Sequence, residues 1–558
     1  MSTRLTVSLL AALLAIGMAI EQHVHHGDVL DTEAAPPLYE GLGDHQMDVT
    51  VSVEARPYFD QGLAFVYGFD HAEAARAFRA ATRLDPACAM CHWGLALALG
   101  PHINAPMAAE AVQPAYAAIT RAQELAEAAT ERERAYIAAL ATRYASDPPE
   151  DRSALDRAYG DAMRELSAAY PDDLDAATLF AEALMNLMPW DYWSADGAPR
   201  PLAVEVLDAL ERVMEHDPYH PGANHHYIHA VEASDRPERA EGSADRLVEL
   251  DIQIGHMLHM PSHIYARIGR WHDASSANER AVAADRAHLA AVEAEGLVPV
   301  LYHPHNLHFL AWTAGMEGRS EVALQAAIET VEATFAELAH ELLFLNAFLT
   351  MPVQTMVRFE AWDDILTGGP REGAHPFELA TWHYARGRAH VARGDLDAAR
   401  AEAEALAAIV EGPEAAGMEQ PEAFFPGASM LLIAQDVLRG HLAHADGDVD
   451  AAIEALERAA DGHDALPYFE PPHWFVSPRL DLGWMLLAAD RPSEAEAVFR
   501  EDLDVYTENG WALYGLAESL RAQGADDEAT VAESRFDEAW QHADVAPELS
   551  SVTAGVGR

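Results

Sequence analysis

The chain has 558 residues, half of them apolar, which is ample for a large core and too many for one ordinary globular core. Its 36 basic side chains, all arginine, stand against 91 acidic ones, a net charge of −55. Such a surface repels phosphate backbones and anionic membranes, so nucleic acid is not expected as a partner.

Residues 1–20 read as a signal peptide. Arg4 supplies a positive start, the stretch to Ile20 is apolar but too short to span comfortably, and Gly17 and Ala19 are small residues suited to cleavage. No later segment is long and uncharged enough to cross a bilayer. The mature chain is therefore expected to be exported, periplasmic or extracellular, with no membrane span. Residues 21–51 carry His23, His25, His26, Pro36 and Pro37 with little periodicity, and a flexible leader is expected there.

Leu and Ala dominate the rest, which favours helices. The first repeat places Gly62 where two helices touch, Ala74 at the crossing and Pro86 after the second helix. Its turn-and-helix pattern returns at Asp235 to Ala240, Gly269 to Ala274, Gly318 to Ala323, Gly394 to Ala399, Gly447 to Ala452 and Asp490 to Ala495. Ala240 and Ala274 are 34 residues apart, the period of a tetratricopeptide repeat. The expected fold class is all-α: a right-handed α-solenoid of helix–turn–helix repeats with loop insertions. The expected divisions are a solenoid with a histidine-rich groove over 52–335, a second solenoid over 336–543 and a disordered tail over 544–558. Insertions at 100–107, 188–193 and 468–475 are rich in Pro and aromatics, suited to folding over a groove or sealing apolar ends.

Cys88, Cys91 and His92 spell Cys-x-x-Cys-His, the c-type haem attachment pattern. Two thiols would take the vinyl groups and His92 an axial position, with His102 or Met107 opposite. In an exported chain the same thiols can simply form a local disulfide. A metal–thiolate site is the third alternative and needs further ligands.

The histidines form a lattice. His225 with His229, and His259 with His263, are i, i+4 pairs that share a helix face. Aligning the repeats on Ala240, Ala274 and Ala323 brings His225, His259 and His308 to one position, His229 and His263 to a second, and His256 and His305 to a third. Neighbouring first helices pack about 8–10 Å apart, so such rings can meet. Imidazole suits Zn, Cu or Fe, and an ion needs three or four donors at about 2.0–2.2 Å. His225, His229, His259, His263, His305 and His308 are the expected ligands, with Glu232 as a ligand or as a carboxylate orienting them. The bland alternative is that each ring bonds a main-chain carbonyl or a nearby Tyr or Asn.

Residues 88–107, 220–232, 260–265, 304–310 and 508–516 resemble a family of exported bacterial tetratricopeptide-repeat proteins, a likeness that spans about residues 52–540. The resemblance implies the repeat fold, export, inward-facing first-helix positions and histidine motifs that belong to the design. It names no substrate. The expected function is a binding scaffold whose groove holds a divalent transition metal or metal cofactor. Alternatives are a plain protein- or peptide-binding scaffold with a Cys88–Cys91 disulfide, and a haem redox protein. No catalytic set is apparent; Glu232 is the one nearby acid or base.

Overall fold

The computed structural model describes residues 35–194, 196–292, 296–420 and 425–547. The signal peptide, the leader up to residue 34 and the tail from 548 lie outside the described residues. Those described are an all-α array of helix–turn–helix repeats; their named strands are the two-residue pair Glu419–Gln420 and Phe425–Pro426. No helix among them is long and apolar enough to cross a membrane.

Packing divides the described chain into two compact units. One holds 35–264 and 279–303, the other 265–278 and 304–547. This division falls earlier in the chain than the break in repeat pattern expected at 336. In the N-terminal unit, helix Arg56–Tyr67 packs on His71–Leu84, Ala89–Ala98 on Val112–Leu125, Leu174–Met185 on Pro201–His216, and Pro221–Val231 on Glu241–Leu250. In the C-terminal unit the pairs include Pro376–Arg393 with Leu396–Val410, Gly427–Ala445 with Val449–Asp464, Pro478–Ala488 with Pro492–Val505, and Gly510–Ala522 with Asp526–Ala539.

The hairpin turns follow from two residues. A left-handed residue ends the first helix, and an aspartate restarts the second by accepting a backbone N–H. Gly394 (φ 77°) precedes Asp395, which caps Ala398; Gly447 (φ 82°) precedes Asp448, which caps Ala451. Phe69 takes the same left-handed place (φ 58°) before Asp70, which caps Glu73. Between repeats, an aromatic ring of a second helix fills the space that two glycines leave. A β-carbon on Gly62 or Gly94 would come within 2.7 or 2.3 Å of Phe78, and one on Gly483 or Gly515 within 2.4 or 2.2 Å of Phe499.

The stretch 35–51 corrects the flexible-leader expectation. Tyr39 donates its N–H to Gln61 Oε1 (2.9 Å), Gln253 donates to the Gly41 carbonyl (2.8 Å), and Arg56 reaches the carbonyls of Met47 and Val49 (2.9 and 2.8 Å). Met47 and Val49 are buried. These contacts make 35–51 a strap tied across the first repeats. Low periodicity marked it as non-helical, which it is, but irregular backbone can still be fully bonded.

Candidate metal centre

Helix Pro221–Val231 presents His225 and His229 on one face, their ring centroids 4.9 Å apart. Every residue of this helix is buried, so no face is left for solvent. The next repeat opens with helix Gly255–His259, which Pro261 separates from Pro261–Arg267. His256 meets the first pair: its centroid lies 4.9 Å from that of His225, and its Nε2 is 3.4 Å from His229 Nε2. One ligand nitrogen each from His225, His229 and His256 lie within 4.8 Å of one another. His259 and His263 keep their shared face despite the break, with Nε2 atoms 2.9 Å apart.

Hydrogen bonds fix which nitrogens carry lone pairs. His225 Nδ1 lies 2.6 Å from the Tyr67 carbonyl, so this nitrogen holds the proton and Nε2 is the donor atom. That Nε2 is buried and has no hydrogen-bond partner. Glu232 sits between the two pairs, Oε1 at 3.4 Å from His229 Nδ1 and Oε2 at 2.8 Å from His263 Nδ1. Both contacts turn the Nδ1 side of the ring toward the carboxylate and the Nε2 side away from it. Glu232 is thus an orienting carboxylate for both pairs within this unit. Burial alone would raise its carboxyl, but the charge of His263 and the bonds to His229 and His263 hold it down at about 2.

Burial lowers the rings themselves. His225 and His256 fall well below the usual imidazole range because burial disfavours the cation, and the neighbouring His229 adds to this for both. His229 is lowered by burial too, against the pull of Glu232. The three are neutral at neutral pH, the form that binds metals.

Aromatic rings pack this centre. Phe69 lies within 4.9–5.7 Å of His102, His226, His229 and His256 in stacked arrangement, and 4.5 Å from His225. A single π-helical turn, Val298–Tyr302, sets Tyr302 flat on His256 at 4.5 Å and 12°. The 188–193 insertion closes another side: Trp190 stands edge-on to His229 at 5.1 Å, and Trp193 Nε1 donates to the Ala230 carbonyl (2.8 Å). Phe69 and Trp190 both hold left-handed backbone, φ 58° and 61°, which is strained for a bulky side chain.

The expected ligand set is thus partly rearranged. His225 and His229 come together with His256, whose repeat position the alignment noted without making it a ligand. The alignment assumed equal stagger of successive first helices, and the break at Pro261 offsets one from the next. His305 and His308 belong to the C-terminal unit, where His308 packs on Phe348 at 4.9 Å and burial lowers it to about 3. Sequence reasoning missed Tyr67, Phe69, His226 and Tyr302, while Trp190 lies in the 188–193 insertion marked as suited to folding over a groove. His226 had a signal in the run from Asn224 to Tyr227; both its ring nitrogens are buried without a hydrogen-bond partner.

A second trio, His45, Asp175 and His220, also lies within metal-binding distance. Its protons argue otherwise. His220 Nδ1 accepts the Ala223 N–H (3.2 Å), which leaves the proton on Nε2, facing Asp175 Oδ1 at 3.4 Å. Tyr67 O–H (2.6 Å) and His45 Nε2 (2.9 Å) meet the same oxygen. Burial would raise this carboxyl; the bonds to His220 and His45 outweigh it and drive it well below the carboxylate range. The bond from His45 to Asp175 Oδ1 ties the strap to helix Leu174–Met185, with His220 Nε2 beside that oxygen at ion-pair distance.

Cys88 and Cys91 form a disulfide, with sulfurs 2.12 Å apart, across the start of helix Ala89–Ala98. In that state neither sulfur is available for a thioether, so of the three alternatives the structure carries the disulfide. His92 is half-buried and His102 stacks on Phe69.

No family model and no curated protein matches the chain. It is similar to solved structures of helical-repeat proteins. One is the APC/C hetero-tetramer Cut9–Hcn1, at 13% identity over 90% of this chain and 79% of that one, TM-score 0.31. Another is a Rap protein complexed with competence and sporulation factor, at 12% over 88% and 98%, TM-score 0.29. A third is yeast Tom70, at 12% over 87% and 90%, TM-score 0.27. At these TM-scores the likenesses carry no argument; the repeat fold rests on the helices themselves.

Proposed function

We propose that the chain is an exported helical-repeat scaffold whose N-terminal unit binds one divalent transition-metal ion through His225, His229 and His256. The observation that carries this is the orphaned His225 Nε2: buried, deprotonated by its Tyr67 bond, and converging with two further neutral imidazoles. A buried polar atom without a partner costs about 1–3 kcal/mol, which a metal–nitrogen bond would remove. His259 and His263, bonded to each other through Nε2 at 2.9 Å, adjoin the same centre through Glu232. Zn, Cu and Fe all accept such a set. The stacked hairpins separately favour a second reading, a protein- or peptide-binding scaffold with the Cys88–Cys91 disulfide and structural histidines. Elemental analysis of purified protein decides between them. One equivalent of metal, lost in His256→Ala, supports the centre; metal-free protein that takes up no Zn, Cu or Fe leaves the scaffold reading alone.

A further inference from the structure

Beside the histidine centre the N-terminal unit holds a cavity of ≈ 180 Å³ that the repeat fold does not require. Tyr39 of the strap meets Phe65 edge to face on its lining, centroids 5.4 Å apart at 85°, and Tyr302 adds another ring. Leu42, Ile254 and Val298 supply aliphatic walls. The hydroxyls and buried carboxylates of the lining already have partners in the protein. Tyr39 O–H donates to Glu73 Oε2 (3.1 Å), and the Tyr302 hydroxyl accepts from Asn104 Nδ2 (3.2 Å). Asp70 Oδ1 accepts the Glu73 N–H (3.2 Å), and its Oδ2 faces His288 Nε2 at 3.9 Å. Asp285 Oδ2 meets His303 Nδ1 at 3.4 Å. Each carboxylate thus faces an imidazole of the same unit, and these groups call for no ionic ligand. The strap closes one side through Tyr39 and Leu42. It is held there by the Tyr39 N–H bond to Gln61 (2.9 Å) and the Gln253 N–H bond to the Gly41 carbonyl (2.8 Å).

We propose that this cavity binds a small uncharged aromatic molecule of a single ring. An apolar cavity of roughly 150 Å³ is large enough to take up benzene. Aromatic rings pack edge to face or offset on one another, and Tyr39, Phe65 and Tyr302 offer such partners. Filling the space recovers the contacts that an empty cavity forfeits. A charged ring would give up its hydration beside carboxylates that are already paired, so the site selects against charge. The inference goes beyond the metal reading. It needs no ion at the histidines, although His256 stands on the same lining.

The test is calorimetric titration of the full chain with benzyl alcohol, with its saturated counterpart cyclohexylmethanol, and with benzylammonium and benzoate. Each titration is run on chelator-treated and on zinc-loaded protein. Benzyl alcohol is expected to bind about threefold or more tighter than cyclohexylmethanol, through the ring contacts. It is expected to bind about tenfold or more tighter than either ion, and equally in both preparations. Ala284 lies on the lining and is half-buried, so Ala284→Phe sets a ring into the cavity from a helix that can carry it. That variant is expected to weaken benzyl alcohol about tenfold or more, with a melting curve to check the fold. Hydrogen exchange on the wild type locates the ligand without any variant: benzyl alcohol should slow the Tyr39 and Gln253 amides that pin the strap. No benzyl alcohol binding by folded protein, an ion or cyclohexylmethanol bound as tightly, full affinity in folded Ala284→Phe, or slowed exchange only elsewhere overturns the proposal. Binding in zinc-loaded protein alone also overturns it, because the ligand then depends on the metal. Failure to take up zinc leaves this result untouched and speaks only to the metal reading.

Discussion

Phe69 occupies a backbone place that costs a bulky side chain about 1–3 kcal/mol, where Gly394 and Gly447 do the same work without strain. Its ring is the platform for five histidines, which is the compensation. Removing the ring should destabilise the protein by about 3–5 kcal/mol. Glycine relieves the strain and alanine does not, so Phe69→Gly should be more stable than Phe69→Ala by about 1 kcal/mol in urea unfolding, the reverse of the usual order. Equal stability would remove the strain argument. Glu232→Gln keeps the shape but weakens the acceptor for two imidazoles, so metal affinity should fall about 10–100-fold while the helices persist; unchanged affinity would show that Glu232 orients nothing. At this scale the sequence was half informative. The i, i+4 spacing revealed His225 with His229 directly. Phe69 was hidden because a left-handed phenylalanine looks like any apolar residue beside a glycine, and Tyr67 acts through its carbonyl, which no side-chain pattern reports.

Each element carries its own logic. The hairpins were legible because a left-handed residue, an Asp cap and an Ala crossing recur at fixed offsets, and Phe78 and Phe499 sit four residues past Ala74 and Ala495 in both units. The strap was not legible, since its bonds join residues far apart, such as His45 to Asp175. The helix that opens the second histidine repeat was misjudged because Pro261 splits it, turning an aligned set into an offset one. The Cys88–Cys91 disulfide closes only a short loop, so Cys88→Ser with Cys91→Ser should cost no more than about 2 kcal/mol. The serine hydroxyl that replaces Cys88 Sγ would retain the capping now given to the Cys91 N–H. Unreduced protein should titrate no free thiols and show no Soret band, even from a host that matures cytochromes c. A covalent haem would contradict the assignment.

For the molecule as a whole, buried histidines set the acid limit. Burial lowers His308 to about 3 and His463 and His473 to about 4, against 6.5 in the unfolded chain. Between those values the unfolded state binds more protons, so stability is level above pH about 6.5 and falls as pH drops toward 4, by up to about 1.4 kcal/mol per pH unit for each ring. Denaturant midpoints measured from pH 8 to 4 check this; a flat profile through pH 5 would contradict it. A net charge of −55 adds self-repulsion, so Tm should rise with added salt. The central claim is the ion shared by two repeats. It is tested most directly by zinc competition against a chromophoric chelator, on the wild type, the His225→Ala, His229→Ala and His256→Ala variants, and His308→Ala as control. The account predicts one tight site, lost in each of the first three and kept in the fourth. Wild-type protein that never competes for zinc, or equal affinity in all five, would contradict it.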